Sequence, residues 1–389
     1  MNAILHWLLL AAAVGTGWAL GRWRLRRESD APPISDEGTL RDRLQFLFTN
    51  YSDEAIESFV ETLDVTRETV NLHLSIGAHF RNKGEVERAT LIHQNLLARP
   101  ELPARYSSQV TYELALDYLA AGLLDRAEAL LQEMMGSRDY GPQAAEQLIQ
   151  LYQREREWDK ACRVASSLVE LQDGPGQRKQ LAYLLCEQAA EAQAQDPRQA
   201  RELLERALGY DQSCVRACLL LAEIRHRESY GRDAQNLLLR VYDHNPAFGP
   251  EAVTLLVRFA REKGRERKLR RQLDRLYREH PSTTLLLILV DQEERFQGPD
   301  SARRLLEKEL ARKPSLRGLM RLIGFNDPTN GPGAGSREQL VRRVGEMVLQ
   351  NKPTYQCVRC GFSGHQLHWL CPSCKSWESI EPVKGVDGE

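Results

Sequence analysis

Four cysteines, Cys357, Cys360, Cys371 and Cys374, form two closely spaced C-x-x-C pairs near the C-terminus. Two residues between thiols let both sulfurs face one ion from a tight turn, and two such pairs close a tetrahedral cage. Gly361 relieves the backbone after the first pair and Pro372 stiffens the second. Four thiolates leave no coordination position open, so the chemistry is structural, docking or redox rather than hydrolytic. Sulfur-only ligation suits zinc and iron alike. His365 and His368 lie between the pairs, yet four cysteines already saturate the ion. The segment from Tyr355 to Val383 has little core of its own, so metal supplies much of its folding free energy. Its Phe362, Leu367, Trp369, Leu370, Trp377 and Ile380 are expected to pack around the site or against a neighbouring element.

The remainder of the 389 residues must position this knuckle, and 28% charge with only 7% aromatics points to an elongated body rather than one large core. Lysine and arginine total 53 against 54 aspartates and glutamates, so no global field draws in nucleic acid or an anionic surface; any such attraction must be local. The other cysteines, Cys162, Cys186, Cys214 and Cys218, are scattered through helical sequence as small buried hydrophobes.

Residues 40–315 are helix-compatible and repeat. Ile76, Gly77, Phe80, Gly84, Ala89, Leu96 and Pro100 follow tetratricopeptide spacing, and Leu114, Ala115, Tyr118, Gly122 and Ala127 repeat it. Leu148, Tyr152, Trp158 and Ala161 make a third copy. The close-contact position falls at Ala55, Ala89, Ala127, Ala161, Ala200, Ala234, Leu269 and Ala302, near the tetratricopeptide period with short turn insertions, which gives about eight repeats. Gln188 and Val257 occupy the small-residue position of two later copies and blur the register there. The predicted fold is all-α, a superhelical solenoid of stacked hairpins whose first helices line a groove. Gln143, Glu146, Gln150, Gln153, Arg216, Glu223, His226, Glu251, Arg258 and Arg261 are the candidate partner residues in that groove.

Residues 316–352 read as a linker and capping helix: a short apolar stretch, Leu316 to Phe325, meets a Gly/Pro-rich run from Asn326 to Gly335, and a further helix runs from about Ser336 to Gln350. No strand precedes its glycines and no Gly-Lys-Ser/Thr follows them, which excludes a phosphate loop. Residues 353–389 form the metal-binding domain.

At the other end, residues 1–21 are predicted to be a transmembrane anchor, because the run from Ala3 to Leu20 carries no formal charge and is long enough to cross a bilayer as a helix. Residues 22–39 are a basic juxtamembrane linker containing Arg22, Arg24, Arg26 and Arg27. Positive charge after the span, and none before it but the amino group, places the N-terminus outside and the body on the cytoplasmic side. That compartment also keeps thiols reduced.

The anchor, arginine cluster, repeats and knuckle together resemble the lipopolysaccharide assembly protein B family of Gram-negative inner membranes. The most specific stretches are Gly84 to Ala89, Ala120 to Glu128, and the knuckle itself, Cys357 to Phe362 with Trp369 to Cys374. The resemblance implies a rubredoxin-like knuckle assigned iron, with zinc as the chemical alternative. This sequence departs from a full rubredoxin by a short loop between the pairs and by Lys375 where glycine usually follows. The resemblance further implies a non-enzymatic adaptor that promotes degradation of the UDP-acyl-N-acetylglucosamine deacetylase of lipid A synthesis by the membrane protease FtsH. It also implies a role in gathering other lipopolysaccharide synthesis and transport proteins at the inner membrane.

Two other readings compete. A rubredoxin-type electron carrier needs a redox partner site, and no flavin, nicotinamide or haem motif is present. A zinc-ribbon nucleic-acid binder needs phosphate-tracking charge, and only Lys352, Arg359, Lys375 and Lys384 surround the knuckle. No metalloprotease, Walker or nucleophile-elbow motif occurs.

Overall fold

A computed structural model describes residues 52–63, 65–66, 69–100, 102–325 and 335–389. The apolar run Ala3–Leu20, the arginines after it, the start of the repeat array and most of the Gly/Pro-rich run lie outside the described residues. Among the described residues, no helix is long and apolar enough to cross a membrane. The chain divides into two compact units, one ending at Tyr140 and one beginning at Gly141.

The first unit contains α1 (Asp53–Thr62), α2 (Thr69–Lys83), α3 (Val86–Leu97), α4 (Ala104–Ala120) and α5 (Leu124–Met134). Each helix from α2 onward packs on the next, and the first helices α2 and α4 also touch. Ile56, Val60, Ile76, Phe80, Ala89 and Ile92 form one buried cluster, and Val70, Leu74, Leu96 and Val110 form the next. Gly77 is small for a reason: a Cβ there would collide with the His93 ring of α3. His93 in turn places Nδ1 2.5 Å from Asp117 Oδ2, and Arg81 donates to Asp117 at 2.8 Å and to Glu113 at 2.7 Å. The buried Asp117 thus has both carboxylate oxygens paired, which is the condition under which an interior tolerates its charge.

The second unit continues the pairing with α6 (Gly141–Glu155), α7 (Trp158–Leu171), α8 (Pro175–Ala192), α9 (Pro197–Tyr210), α10 (Val215–Arg227) and α11 (Gly231–His244). A 3-10 turn at Pro246–Phe248 leads into α12 (Gly249–Glu262), α13 (Glu266–Glu279), α14 (Thr283–Gln297) and α15 (Pro299–Arg312). First helices pack on first helices, α8 on α10, α10 on α12, α12 on α14, which is the layering of a tetratricopeptide solenoid. The close-contact positions Ala89, Ala127, Ala161, Ala200, Ala234 and Ala302 are fully buried, and Leu269 nearly so. Ala55, by contrast, is exposed on α1.

The same device ends the first helix of several pairs. Gly84, Gly122 and Gly264 take φ of +88°, +73° and +62°, and the next N–H bonds back to the carbonyl five residues earlier, as in Glu85 to Phe80 at 2.9 Å. This left-handed cap satisfies carbonyls that the helix end leaves open. Arg156 and Ser229 hold the same position at φ +59° and +70°, with Glu157 to Tyr152 and Tyr230 to Arg225 closing the same bond.

After α15 come α16 (Leu316–Phe325) and α17 (Gly335–Asn351), which pack together so closely that a Cβ on Gly345 would strike Met320. Leu322 and Phe325 of α16 cover Leu286, Val290, Ala302 and Leu306. The chain ends in β1 (Tyr355–Cys357), β2 (Ser363–Gly364) and β3 (Ile380–Pro382), an antiparallel sheet ordered β2-β1-β3. This small sheet qualifies the all-α expectation. Of the four cysteines only Cys357 lies on one of its strands.

Candidate metal centre and its docking face

The two knuckles repeat each other bond for bond. Gly361 N–H donates to the Cys357 carbonyl and Lys375 N–H to the Cys371 carbonyl, both at 3.0 Å. Cys357 N–H donates to Phe362 and Cys371 N–H to Ser376, at 2.7 and 3.0 Å. Gly361 has φ +78° and Lys375 has φ +54°, so the lysine that stands where glycine is usual still takes the glycine conformation. Its Nζ donates to the Pro372 carbonyl at 2.7 Å, which helps to hold that conformation.

These turns gather four sulfurs that all lie within 4.8 Å of one another. Cys357 and Cys374 sulfurs are 3.7 Å apart, and Cys360 and Cys371 sulfurs are 3.6 Å apart. A tetrahedron with metal–sulfur bonds of about 2.3 Å has edges of about 3.8 Å, so the cage fits a single ion. Cys357, Cys371 and Ile380 are buried with Phe362 and Leu367 packed beside them, whereas Cys360 is exposed, which leaves one side of the site near the surface. Neither His365 nor His368 joins the group; the His368 ring meets Phe362 edge-on instead.

The local field prepares thiolate, the form that binds metal. Burial raises the Cys357 thiol, but the Ser379 hydroxyl and the backbone N–H groups of Cys360 and Arg359 outweigh it and bring it down to about 6. Ser376, through side chain and backbone, lowers Cys374. Burial wins at Cys371, pushed up to about 11 despite N–H groups from Cys374 and Ser373. The asymmetry is what a cluster of adjacent like charges produces: some sulfurs ionise and a neighbour holds its proton until a cation arrives.

The knuckle is seated on the helices of the second unit. Trp377 stacks on Tyr183 of α8 with ring centroids 5.2 Å apart, and Trp369 stacks on Phe248 at 5.4 Å. Arg216 of α10 lies over the Trp369 ring at 5.6 Å. Beside Trp377, Glu378 pairs with Lys179 at 2.6 Å and accepts from Asn245 at 3.2 Å. Tyr355 donates to Glu251 of α12 at 2.5 Å, and burial together with that carboxylate pushes its hydroxyl well above the ordinary tyrosine range. The last residue, Glu389, accepts from Thr284 at the start of α14 and from Arg317 of α16. One small module thus touches the first helices of successive steps from α8 to α16, and each contact pairs a polar group or stacks a ring.

A family model described as a rubredoxin metal binding domain matches residues 355–382. Over its whole length the chain is 32% identical to lipopolysaccharide assembly protein B of Escherichia coli (strain K12), with 99% of both chains covered. The chain belongs to the lipopolysaccharide assembly protein B family. The Haemophilus influenzae protein of the same name is 30% identical over 98% of this chain and 99% of its own. Among solved structures, a tetratricopeptide repeat protein from Parabacteroides merdae is similar over 72% of this chain and 99% of that one, at 13% identity and a TM-score of 0.35.

In this member of the lipopolysaccharide assembly protein B family, the candidate groove residues divide into three groups. Arg216 and Glu251 face the chain's own knuckle, which occupies the first-helix face at those repeats. Glu223, His226, Arg258 and Arg261 are tied among themselves and their neighbours: Arg258 to Glu223 at 2.5 Å, His226 to Glu262 at 2.7 Å, Arg261 to Glu266 at 2.9 Å. His226 is also buried against Phe259, ring on ring at 3.9 Å. On α6, Gln143, Glu146 and Gln150 remain exposed and Gln153 is half-buried. Sequence reasoning missed Lys179, Tyr183, Asn245 and Phe248 as the seat of the knuckle. Tyr183 lies in the run Leu-Ala-Tyr-Leu-Leu-Cys, where any large residue reads as core. The available signal was the pair of tryptophans on a module too small to cover them.

Proposed function

We propose that this protein is a non-catalytic, membrane-tethered adaptor in lipopolysaccharide assembly. The observation that carries the reading is identity to lipopolysaccharide assembly protein B over 99% of both chains. The site supports it from the other side: a cage of four thiolates has no open position for substrate, and the ion it fits serves to fold and seat the knuckle. Ala3–Leu20 spans the inner membrane once, with the N-terminus periplasmic and the solenoid and knuckle on the cytoplasmic side. Tethering raises the effective concentration of partners confined to the same bilayer. Those partners are the protease FtsH and the UDP-acyl-N-acetylglucosamine deacetylase, whose degradation the adaptor promotes, together with other lipopolysaccharide synthesis and transport proteins. The ion is iron, with zinc the alternative that the same sulfur cage accepts. The exposed α6 residues Gln143, Glu146 and Gln150 are the part of the groove face open to a partner segment.

The test is deacetylase half-life in cells. Cys357→Ser with Cys360→Ser, and separately deletion of residues 1–21, should each lengthen it. An unchanged half-life in both variants rejects the adaptor role.

A further inference from the structure

The balanced overall charge of the chain conceals one strongly basic face. Lys263–Glu279, comprising the α12–α13 turn and α13, holds eight basic and three acidic side chains. Two of the acids are already engaged: Glu266 is clamped by Arg261 and Arg295 from outside the segment, and Asp274 pairs with Arg270 within it. Lys263, Arg265, Lys268, Arg271, Arg275 and Arg278 are exposed, and none has an ion-pair partner among the described residues. By contrast, Arg258, Arg270, Arg317 and Arg321 of the same unit are paired. At about 100° per residue, Lys268, Arg271, Arg275 and Arg278 fall on one side of α13, a stripe about 15 Å long. At its N-terminal end Arg232 joins Lys263, Arg265 and Lys268 around a shared recess.

We propose that this face of α13 lies against the anionic headgroups of a lipid bilayer, an inference that rests on the membrane tether proposed above. Charge complementarity is the first reason: each Lys or Arg near an anionic leaflet adds attraction on its own, without a shaped partner. The second is what the face lacks. No large hydrophobic residue is exposed between Tyr230 and Leu319. The stripe from Lys268 to Arg278 offers a protein partner no exposed apolar anchor and a nucleic-acid strand no exposed ring, and Tyr230 beside the recess already lies under Arg225. The third is confinement, since a chain held by Ala3–Leu20 meets the leaflet as part of one tethered molecule, at a raised effective concentration.

The test uses the full chain reconstituted in lipid nanodiscs, with the exposed Glu279 beside the stripe replaced by a photo-crosslinking amino acid, and Glu170 of α7 replaced likewise as a control. In discs of about 30 mol% phosphatidylglycerol in phosphatidylcholine, lipid crosslinking from position 279 should exceed that in pure phosphatidylcholine by about ten-fold and fall as salt is raised. The variant Lys268→Gln, Arg271→Gln, Arg275→Gln, Arg278→Gln, checked for unchanged melting, should bring it down to the phosphatidylcholine level, and position 170 should respond to neither change. Equal crosslinking in the two lipids, or indifference to the four substitutions, overturns the inference while leaving the tether intact. Capture of an acidic protein or RNA at position 279 in cells, in place of lipid, also overturns it. A chain that fails to enter the discs at all removes the tether, and this inference with it.

Discussion

Trp377 of the knuckle lies flat on Tyr183 of α8, rings 5.2 Å apart and inclined by 22°. Tyr183 is itself completely buried, so the tryptophan closes a hydrophobic surface that the solenoid alone would leave open. Trp377→Ala should therefore loosen the knuckle without unravelling its cage. The expected cost is about 1.5–3 kcal/mol of lost apolar burial and stacking. It is read as faster hydrogen exchange in both Tyr355–Pro382 and α8, with one metal still bound per chain.

Removing the metal should release the same contact. The knuckle's own hydrophobic cluster buries only Cys357, Cys371 and Ile380, too few to fold it unaided. Chelation, or Cys371→Ser, is expected to abolish protection of the knuckle amides and to shift Trp369 and Trp377 fluorescence toward solvent values. The helix content should stay close to its original level. A metal-free knuckle that keeps its exchange protection would show that packing, not the ion, holds it.

Glu378 and Lys179 make a pair that is unequal in burial: the carboxylate is 4% exposed and the ammonium 41%. Lys179→Ala leaves a buried charge with only neutral polar neighbours, Asn245 and the Tyr183 hydroxyl, at an expected cost of about 1–2 kcal/mol after allowance for the solvated partner. Glu378→Gln lets Lys179 turn to water and should cost less. The double variant should be more stable than Lys179→Ala alone, which a double-mutant cycle on chemical denaturation measures.

Arg156, Ser229 and Lys375 hold left-handed turns without being glycine. Replacing each by glycine should stabilise by about 0.5–1 kcal/mol, because the relief of Cβ strain exceeds the added freedom of the unfolded chain. Lys375→Gly gains least, since it gives up the bond from Nζ to Pro372. Gly122→Ala should do the reverse. Thermal melting of the four single variants tests the ordering.

Burial pushes the thiols of Cys162 and Cys218 up to about 12. In the native fold both should stay protonated and resist alkylation at neutral pH, while metal-free Cys360 reacts. The sign of the linkage follows. Unfolded thiols ionise at about pH 8.5 and these do not, so the stability they contribute is intact below that pH and declines as pH rises toward about 12. Mass-resolved iodoacetamide labelling across pH distinguishes the two sets of cysteines.

Much of this architecture was legible in residue order because its signals are local. A C-x-x-C pair specifies its own turn, and an alanine recurring once per helical hairpin specifies where two helices touch, whatever the rest of the chain does. Even the capping device shows in Gly84, Gly122 and Gly264, although Arg156 and Ser229 hide two of its uses behind residue types that do not announce it. The set of half-buried Arg81 with buried His93 and Asp117 was not legible, because three polar residues so far apart in the chain look like surface until α2, α3 and α4 bring them together. Asp117→Ala should cost about 3–5 kcal/mol for that reason, by equilibrium denaturation.

The amino-acid sequence alone determined the two C-x-x-C pairs and the helical period, since each depends on spacing along one segment. Only the tertiary structure decided that the knuckle fills the face where Arg216 and Glu251 were expected to meet a partner, and that the α13 stripe Lys268, Arg271, Arg275 and Arg278 lacks ion-pair partners among the described residues. Both depend on which side chains from distant segments come within bonding distance, and residue spacing does not carry that information. Trp369 finds Phe248 across a long stretch of intervening chain, and burial, not proximity in sequence, selects that contact.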